Sequence, residues 1–223
     1  MSKIVIMGDL HSDFGYLNRF INKKKPDIVL CAGDFGYWPT NKNYREIKAH
    51  NSKIYWCDGN HEDFIALKNR ASDEIQPNVF YKPRGSTLTL PNGQIVLFLG
   101  GALSVDRHYR VEGISWFKDE ILTFNDFDYM PDPNMKVDLV ISHTCPIDFN
   151  IPFLTMGDGK FYDESRRVLS HFLHVIKPKR WFFGHFHARM SGISRGYDWE
   201  CHWECLDMSL NGGDSWYYWL EKE

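Results

Sequence analysis

Apolar residues in the first third of the chain fall into short unbroken blocks separated by helical spacing. Residues 3–7 carry Ile4, Val5, Ile6 and Met7 and predict a strand that ends in Gly8-Asp9. Phe14, Leu17, Phe20 and Ile21 recur at the period of one helical face, predicting a helix over residues 13–24. Residues 27–31 read as a second strand ending in Gly33-Asp34, and residues 53–57 as a third ending in Gly59-Asn60-His61. Helices are expected over 41–49 and 62–70. The middle changes period: 79–82, 86–90 and 94–99 read as strands, the last two joined by Pro91-Asn92-Gly93, a hairpin signal. Further on, 137–142 predicts a strand leading to His143, and 163–176 a helix stopped by Pro178. Residues 180–183 predict a strand ending in Gly184-His185-Phe186-His187, and 203–208 and 216–220 read as antiparallel strands. Mixed βαβ and hairpin signals in one chain imply two sheets packed together with helices outside.

Composition narrows the class. The chain has 223 residues, of which 43% are hydrophobic, enough for a sizeable core. No repeat, low-complexity stretch or Gly/Ser linker divides it, so residues 1–223 are read as a single domain. A net charge of −3 argues against a general electrostatic grip on nucleic acid, although a local basic groove stays possible. Lys23, Lys24 and Lys25 form the only sustained basic run, and they close the first predicted helix. No apolar stretch approaches the ~18 residues of a membrane span, so no membrane partner is expected. The first strand begins at once and leaves no room for a signal peptide; with five scattered cysteines, a cytoplasmic location with reduced thiols is the expectation. Cys201 and Cys205 lack the second pair that a structural zinc site needs.

Candidate chemistry concentrates just past the carboxyl ends of predicted strands, where α/β sheets assemble ligand sites. The clusters are Gly8-Asp9-Leu10-His11, Gly33-Asp34, Gly59-Asn60-His61-Glu62, Ser142-His143 and Gly184-His185-Phe186-His187. Leaving His61 aside, they supply two carboxylates, four imidazoles and one amide oxygen. That donor mixture suits zinc, manganese, iron or nickel better than calcium. Seven such side chains can serve two ions if one carboxylate bridges, and the net positive charge that results would be offset by a phosphate dianion.

The ordered series GDLH, GD, GNHE, SH and GHFH, spanning residues 8 to 187, resembles the calcineurin-like metallophosphoesterase superfamily. The resemblance implies a four-layer αββα sandwich of two mixed sheets. It implies that Asp9, His11 and His187 hold one divalent metal, that Asn60, His143 and His185 hold a second, and that Asp34 bridges both. It further implies hydrolysis of a phosphomonoester or phosphodiester by attack of a metal-bridging hydroxide. Asp34 and His61 are then the catalytic pair, His61 protonating the leaving oxygen or steadying the phosphoryl group, and Asn60 balances charge on the phosphate oxygens. A small molecule or nucleotide is the expected substrate. A nuclease, which would need an extended basic groove, and a non-catalytic scaffold, which should show eroded ligands, are the alternatives.

One departure matters. Protein serine/threonine phosphatases of this superfamily carry an arginine after the second motif that holds phosphate, whereas here Asp34 is followed by Phe35, Gly36, Tyr37, Trp38 and Pro39. Tyr37 and Trp38 either line the cleft or pack beneath a loop. Arg107 is the candidate to supply the missing phosphate contact, with Arg110 as the other arginine of the same segment, since guanidinium forks suit phosphate oxygens. Cys145, beside Pro146, reads as a turn thiol rather than a nucleophile. His50, His171 and His174 are assigned to helices facing solvent, and His202 to a C-terminal strand.

Overall fold

The computed structural model describes residues 2–127, 136–152 and 163–220. Twelve strands fall within them: β1 (Ile4–Met7), β2 (Ile28–Cys31), β3 (Lys53–Trp56), β4 (Glu74–Gln76), β5 (Val79–Tyr81), β6 (Thr87–Thr89), β7 (Ile95–Leu99), β8 (Leu139–Ser142), β9 (Arg180–Phe183), β10 (Met190–Arg195), β11 (Glu200–Cys205) and β12 (Tyr217–Leu220). Three α-helices accompany them: α1 (Phe14–Lys24), α2 (Phe64–Lys68) and α3 (Glu164–Ile176). One sheet has the order β12-β1-β2-β3-β5-β4 and the other β10-β11-β9-β8-β7-β6. In each, four central strands run parallel and both edge strands are antiparallel to their neighbours.

Burial on both faces explains why β1 and β2 are unbroken apolar runs and why β8 is apolar up to Ser142. Successive side chains point to opposite faces, so each strand feeds two cores. Ile4, Ile6, Ile28 and Leu30 meet Val96, Phe98, Leu139, Ile141 and Phe182 between the sheets. Val5, Met7, Val29 and Trp56 face outward onto Phe14, Leu17 and Phe20 of α1 and Phe64 and Leu67 of α2. On the far side Leu97, Leu99, Val140, Trp181 and Phe183 pack on Val168, Leu169, Phe172 and Leu173 of α3. The result is helix, sheet, sheet, helix, the sandwich that the motif series implied.

Helix ends follow capping chemistry. Asp13 accepts from the Tyr16 amide (3.1 Å) at the start of α1, and Asp163 from the Arg166 amide (3.2 Å) at the start of α3. Lys25 and Lys177 close these helices in the left-handed conformation, each followed by proline. Residues 41–49 depart from expectation and form no helix. Their amides are taken by other elements: Ile47 N–H donates to Gln76 Oε1 (2.8 Å) and Lys48 N–H to Asn18 Oδ1 (2.7 Å). His50, assigned to that helix, therefore sits in a turn. The helix expected over 62–70 shortens to Phe64–Lys68, and the edge strands β4 and β10 lie outside the predicted elements. Among the described residues no helix is long and apolar enough to cross a membrane.

Candidate metal centre

The parallel strands of both sheets end at one edge of the sandwich, and the five motif clusters are the loops that leave them. Asp9 and His11 follow β1, Asp34 follows β2, Asn60 and His61 follow β3, His143 follows β8, and His185 and His187 follow β9. Asp9, Asp34, Asn60 and His143 are buried, and His187 is the most exposed of the set.

One ligand-capable atom from each of Asp9, His11, Asp34 and His187 lies within 4.8 Å of all the others. His187 Nε2 stands 3.0 Å from Asp9 Oδ2 and 3.1 Å from His11 Nε2, and His11 Nε2 stands 3.7 Å from Asp34 Oδ2. On the other side of Asp34, His143 Nε2 lies 3.2 Å from Asp34 Oδ1 and 3.0 Å from Asn60 Oδ1. The His185 ring sits edge-on to His143, with centroids 4.9 Å apart. All seven expected ligands are thus brought together, with Asp34 between the two groups.

The donor set fits divalent cations. Neither Asp9 nor Asp34 has a lysine or arginine partner among the described residues; their ion-pair neighbours are histidines. Buried carboxylates without a cation are costly. His143 Nδ1 is 2.9 Å from the Ala32 carbonyl, which only accepts, so that nitrogen carries a proton and Nε2 turns its lone pair to two oxygens. A cation between them resolves the repulsion. With protein charges alone a proton does so: burial opposes it, but Asp34 and then Asp9 push the His143 pKa up to about 10. Burial likewise opposes the charge on Asp34, yet His143, His61 and His11 hold its carboxyl well below the usual range.

Backbone geometry brings these groups close. His11, Asp34, His185 and His187 all adopt positive φ, between 41° and 68°, a strain that clusters at functional sites. Close approach also explains two motif glycines. A Cβ at Gly184 would collide with Asp9 Oδ1, and one at Gly59 with Asp34 Oδ1. Asp34 Oδ1 accepts the amides of Asn60 (2.8 Å) and His61 (2.9 Å), which leaves Oδ2 for the His11 side. Glu62, wholly buried, accepts from Gly36 N–H (3.2 Å) and Gly59 N–H (2.8 Å) and ties the second loop to the third. Burial, with Asp34 and Asp58 nearby, raises the Glu62 pKa to about 8.

His61 stands at the mouth, its side chain 37% exposed, with Nε2 4.0 Å from Asp34 Oδ2. Burial and the Arg110 guanidinium lower its pKa against the pull of Asp34. Trp38 donates from Nε1 to the His61 carbonyl (2.8 Å). Tyr37 and Trp38 pack against the first-sheet core, which favours the packing reading for both. Cys145 is buried and desolvation pushes its thiol to about 12, so it offers no thiolate.

The two arginines after β7 separate. The Arg107 side chain is exposed and makes no hydrogen bond or ion pair among the described residues. Arg110 instead reaches the site, with Nη2 2.8 Å from His61 Nε2. Of the two arginines, Arg110 is the one that contacts site residues among the described residues. The segment after β7 also carries a support that the motif series did not reveal. Ser104 Oγ accepts from Asn60 Nδ2 (3.0 Å), which turns the amide so that Oδ1 faces His143. Glu120, buried, accepts from the Ser104 amide (3.0 Å) and from Trp116 Nε1 (2.7 Å). Asp58, next to Gly59, is paired with buried Arg84 (2.7 Å) and accepts from the Tyr81 hydroxyl (2.9 Å). The carboxylates in GNHE and beside it were visible in the sequence, but nothing in their spacing announces Arg84, Ser104 or Glu120.

Comparison with known proteins adds three findings. The sequence model for calcineurin-like phosphoesterases matches residues 2–189. No curated protein matches the chain. Among solved structures, the phosphopantetheinyl hydrolase PptH of Mycobacterium tuberculosis is similar at 11% identity and a TM-score of 0.50, the match covering 100% of this chain and 97% of that one. GAP50, described as the anchor in the inner membrane complex of Plasmodium, is 13% identical with a TM-score of 0.46 over 91% of this chain and 70% of its own. A predicted phosphoesterase of Streptococcus pneumoniae TIGR4 is 10% identical with a TM-score of 0.37 over 93% and 72%. At such identities PptH bears on the fold alone, and the other two carry no argument.

Proposed function

Because the chain belongs to the calcineurin-like phosphoesterase family, we propose that it hydrolyses a phosphomonoester or phosphodiester at a centre of two divalent ions shared through Asp34. The observation that carries this reading is the convergence of Asp9, His11, Asp34 and His187 within 4.8 Å, with His143, Asn60 and His185 against the other side of Asp34. Manganese, iron, zinc and nickel all suit the donors. Such ions supply Lewis acidity and lower the pKa of bound water from ~15.7 towards 7.

The chain's own groups do the rest. Two backbone amides on Asp34 Oδ1 fix the carboxylate plane, so Oδ2 keeps its aim without help from substrate. Ser104 fixes the Asn60 amide, holding its oxygen inward. His61 is the one imidazole at the mouth that is not in the ligand set, and it is placed to give a proton to a leaving oxygen at its exposed edge. Small phosphate esters, nucleotides among them, are the substrates we assign. Five buried cysteines without a disulfide accord with a cytoplasmic setting.

The test is metal-stripped protein resupplied with manganese, zinc or nickel and assayed on p-nitrophenyl phosphate and its bis ester. Hydrolysis of at least one ester that returns with metal and is lost in Asp34→Asn supports the proposal. Failure with every metal, or full turnover by Asp34→Asn, overturns it.

A further inference from the structure

We infer that Arg110 is a substrate-gripping residue that favours phosphomonoesters over diesters, its guanidinium holding a non-bridging oxygen beside His61. This inference rests on the phosphoesterase reading above and deepens it. The second motif runs into Phe35-Gly36-Tyr37-Trp38 and offers no basic side chain there. Arg110 arrives from a different place, the segment after β7, just past a 3₁₀ turn at Arg107–Tyr109.

Its setting is that of a held fork. Asp106, one turn earlier, takes Nε at 2.9 Å and Nη2 at 2.8 Å, fixing the guanidinium plane. Nη2 also meets His61 Nε2 at 2.8 Å, while Nη1 has a single long contact, 3.3 Å to the Asn60 carbonyl. The side chain is only 11% exposed although the segment that bears it is at the surface. No other lysine or arginine side chain contacts His61 or any of the seven candidate ligands among the described residues. A neutral imidazole is a modest acceptor for a guanidinium, and Nη1 is under-used. A phosphate oxygen arriving beside His61 would take a charge-assisted bond from the same fork. Asp106 occupies Nε and Nη2 and leaves Nη1 to a phosphate oxygen.

The preference for monoesters follows from charge and oxygen count. A monoester dianion has three non-bridging oxygens and about two negative charges, whereas a diester has two such oxygens and one charge. A cationic donor additional to the metal centre therefore finds a partner on the monoester that the diester lacks. His61 and Arg110 then act side by side, the first on the leaving oxygen and the second on the phosphoryl oxygens.

The experiment compares manganese-loaded wild type, Arg110→Ala and Arg110→Lys, with Lys118→Ala as a charge-matched control from the same segment whose side chain is 77% exposed. Inorganic phosphate binding is measured by calorimetry, and kcat and KM on p-nitrophenyl phosphate and its bis ester. For Arg110→Ala the expected loss is about 10- to 100-fold in phosphate affinity and in monoester kcat/KM. Diester kcat/KM should stay within about threefold, bound manganese should be unchanged, and Arg110→Lys should recover only part of the loss. Phosphate affinity within twofold of wild type in Arg110→Ala, or equal losses on both esters, overturns the inference. Wild type that binds phosphate but cleaves neither ester would sink the phosphoesterase reading while leaving the calorimetric comparison to decide Arg110.

Discussion

Asp34 holds two jobs that different oxygens perform: Oδ1 is tied to the amides of Asn60 and His61, and Oδ2 faces His11 and His61. Asp34→Asn keeps the shape but loses the charge that both ligand groups share, so metal content should fall at both positions together. His61→Ala should spare metal content and lower kcat by about 10²- to 10⁴-fold, the usual span for a lost proton donor. Metal analysis beside turnover separates the two; loss of bound metal in His61→Ala would make it a ligand instead. Ser104→Ala removes the acceptor that orients Asn60, and a metal-titration experiment should show affinity weakened by about 10- to 100-fold at the position Asn60 serves. Unchanged affinity would mean the amide is held by His143 alone. Motif residues were legible not one by one but as an ordered series of strand-end clusters carrying the donor types a metal needs. Ser104 was not, because an uncharged hydroxyl in a loop has no distinguishing spacing. The sequence put Arg107 forward, but the 3₁₀ turn leaves it exposed and carries Arg110 to His61.

At the level of elements, the segment after β7 braces the centre from one side. Its attachment runs through the Asp58–Arg84 pair, with Arg84 also donating to the carbonyls of Asp119 (2.7 Å) and Ile121 (3.1 Å). Breaking a buried pair strands a charge, so Asp58→Asn should cost about 3–5 kcal/mol in chemical denaturation. Glu120 gives a pH prediction. Burial raises its pKa, Oε1 is hydrogen-bonded and Oε2 has no partner. A carboxyl whose folded pKa lies above its unfolded value contributes stability below the unfolded pKa that is lost as pH rises through the folded one. Glu120→Gln, which cannot ionise, should therefore gain stability relative to wild type as pH rises above the ordinary Glu range of about 4. A difference that stays flat as pH rises would contradict the raised pKa. Long periodic elements were readable: α1 and α3 appear where the apolar spacing put them, with Asp caps and proline stops. Residues 41–49 misled because Gln76 and Asn18 compete for their amides, a tertiary effect absent from local pattern. The edge strand β4 is short, and β10 alternates half-buried with exposed positions and is mostly polar, so neither carries much apolar signal.

Across the whole molecule, the first sheet contributes Asp9, His11, Asp34 and Asn60, and the second contributes His143, His185 and His187. Ions held there would link the sheets at one edge, while the core between Ile6, Leu30, Phe98 and Ile141 links them below. Adding manganese to chelator-stripped protein should raise Tm, and Asp34→Asn should show little or no rise. The architecture could be anticipated because strand-end polarity and buried apolar runs are properties of the whole chain rather than of one residue. The most direct measurement is anomalous diffraction at the manganese edge from crystals grown with manganese. Two peaks about 3.5–4 Å apart are predicted, one among Asp9, His11 and His187, the other among Asn60, His143 and His185, with Asp34 reaching both. No peak there, or manganese bound away from Asp34, would contradict the account.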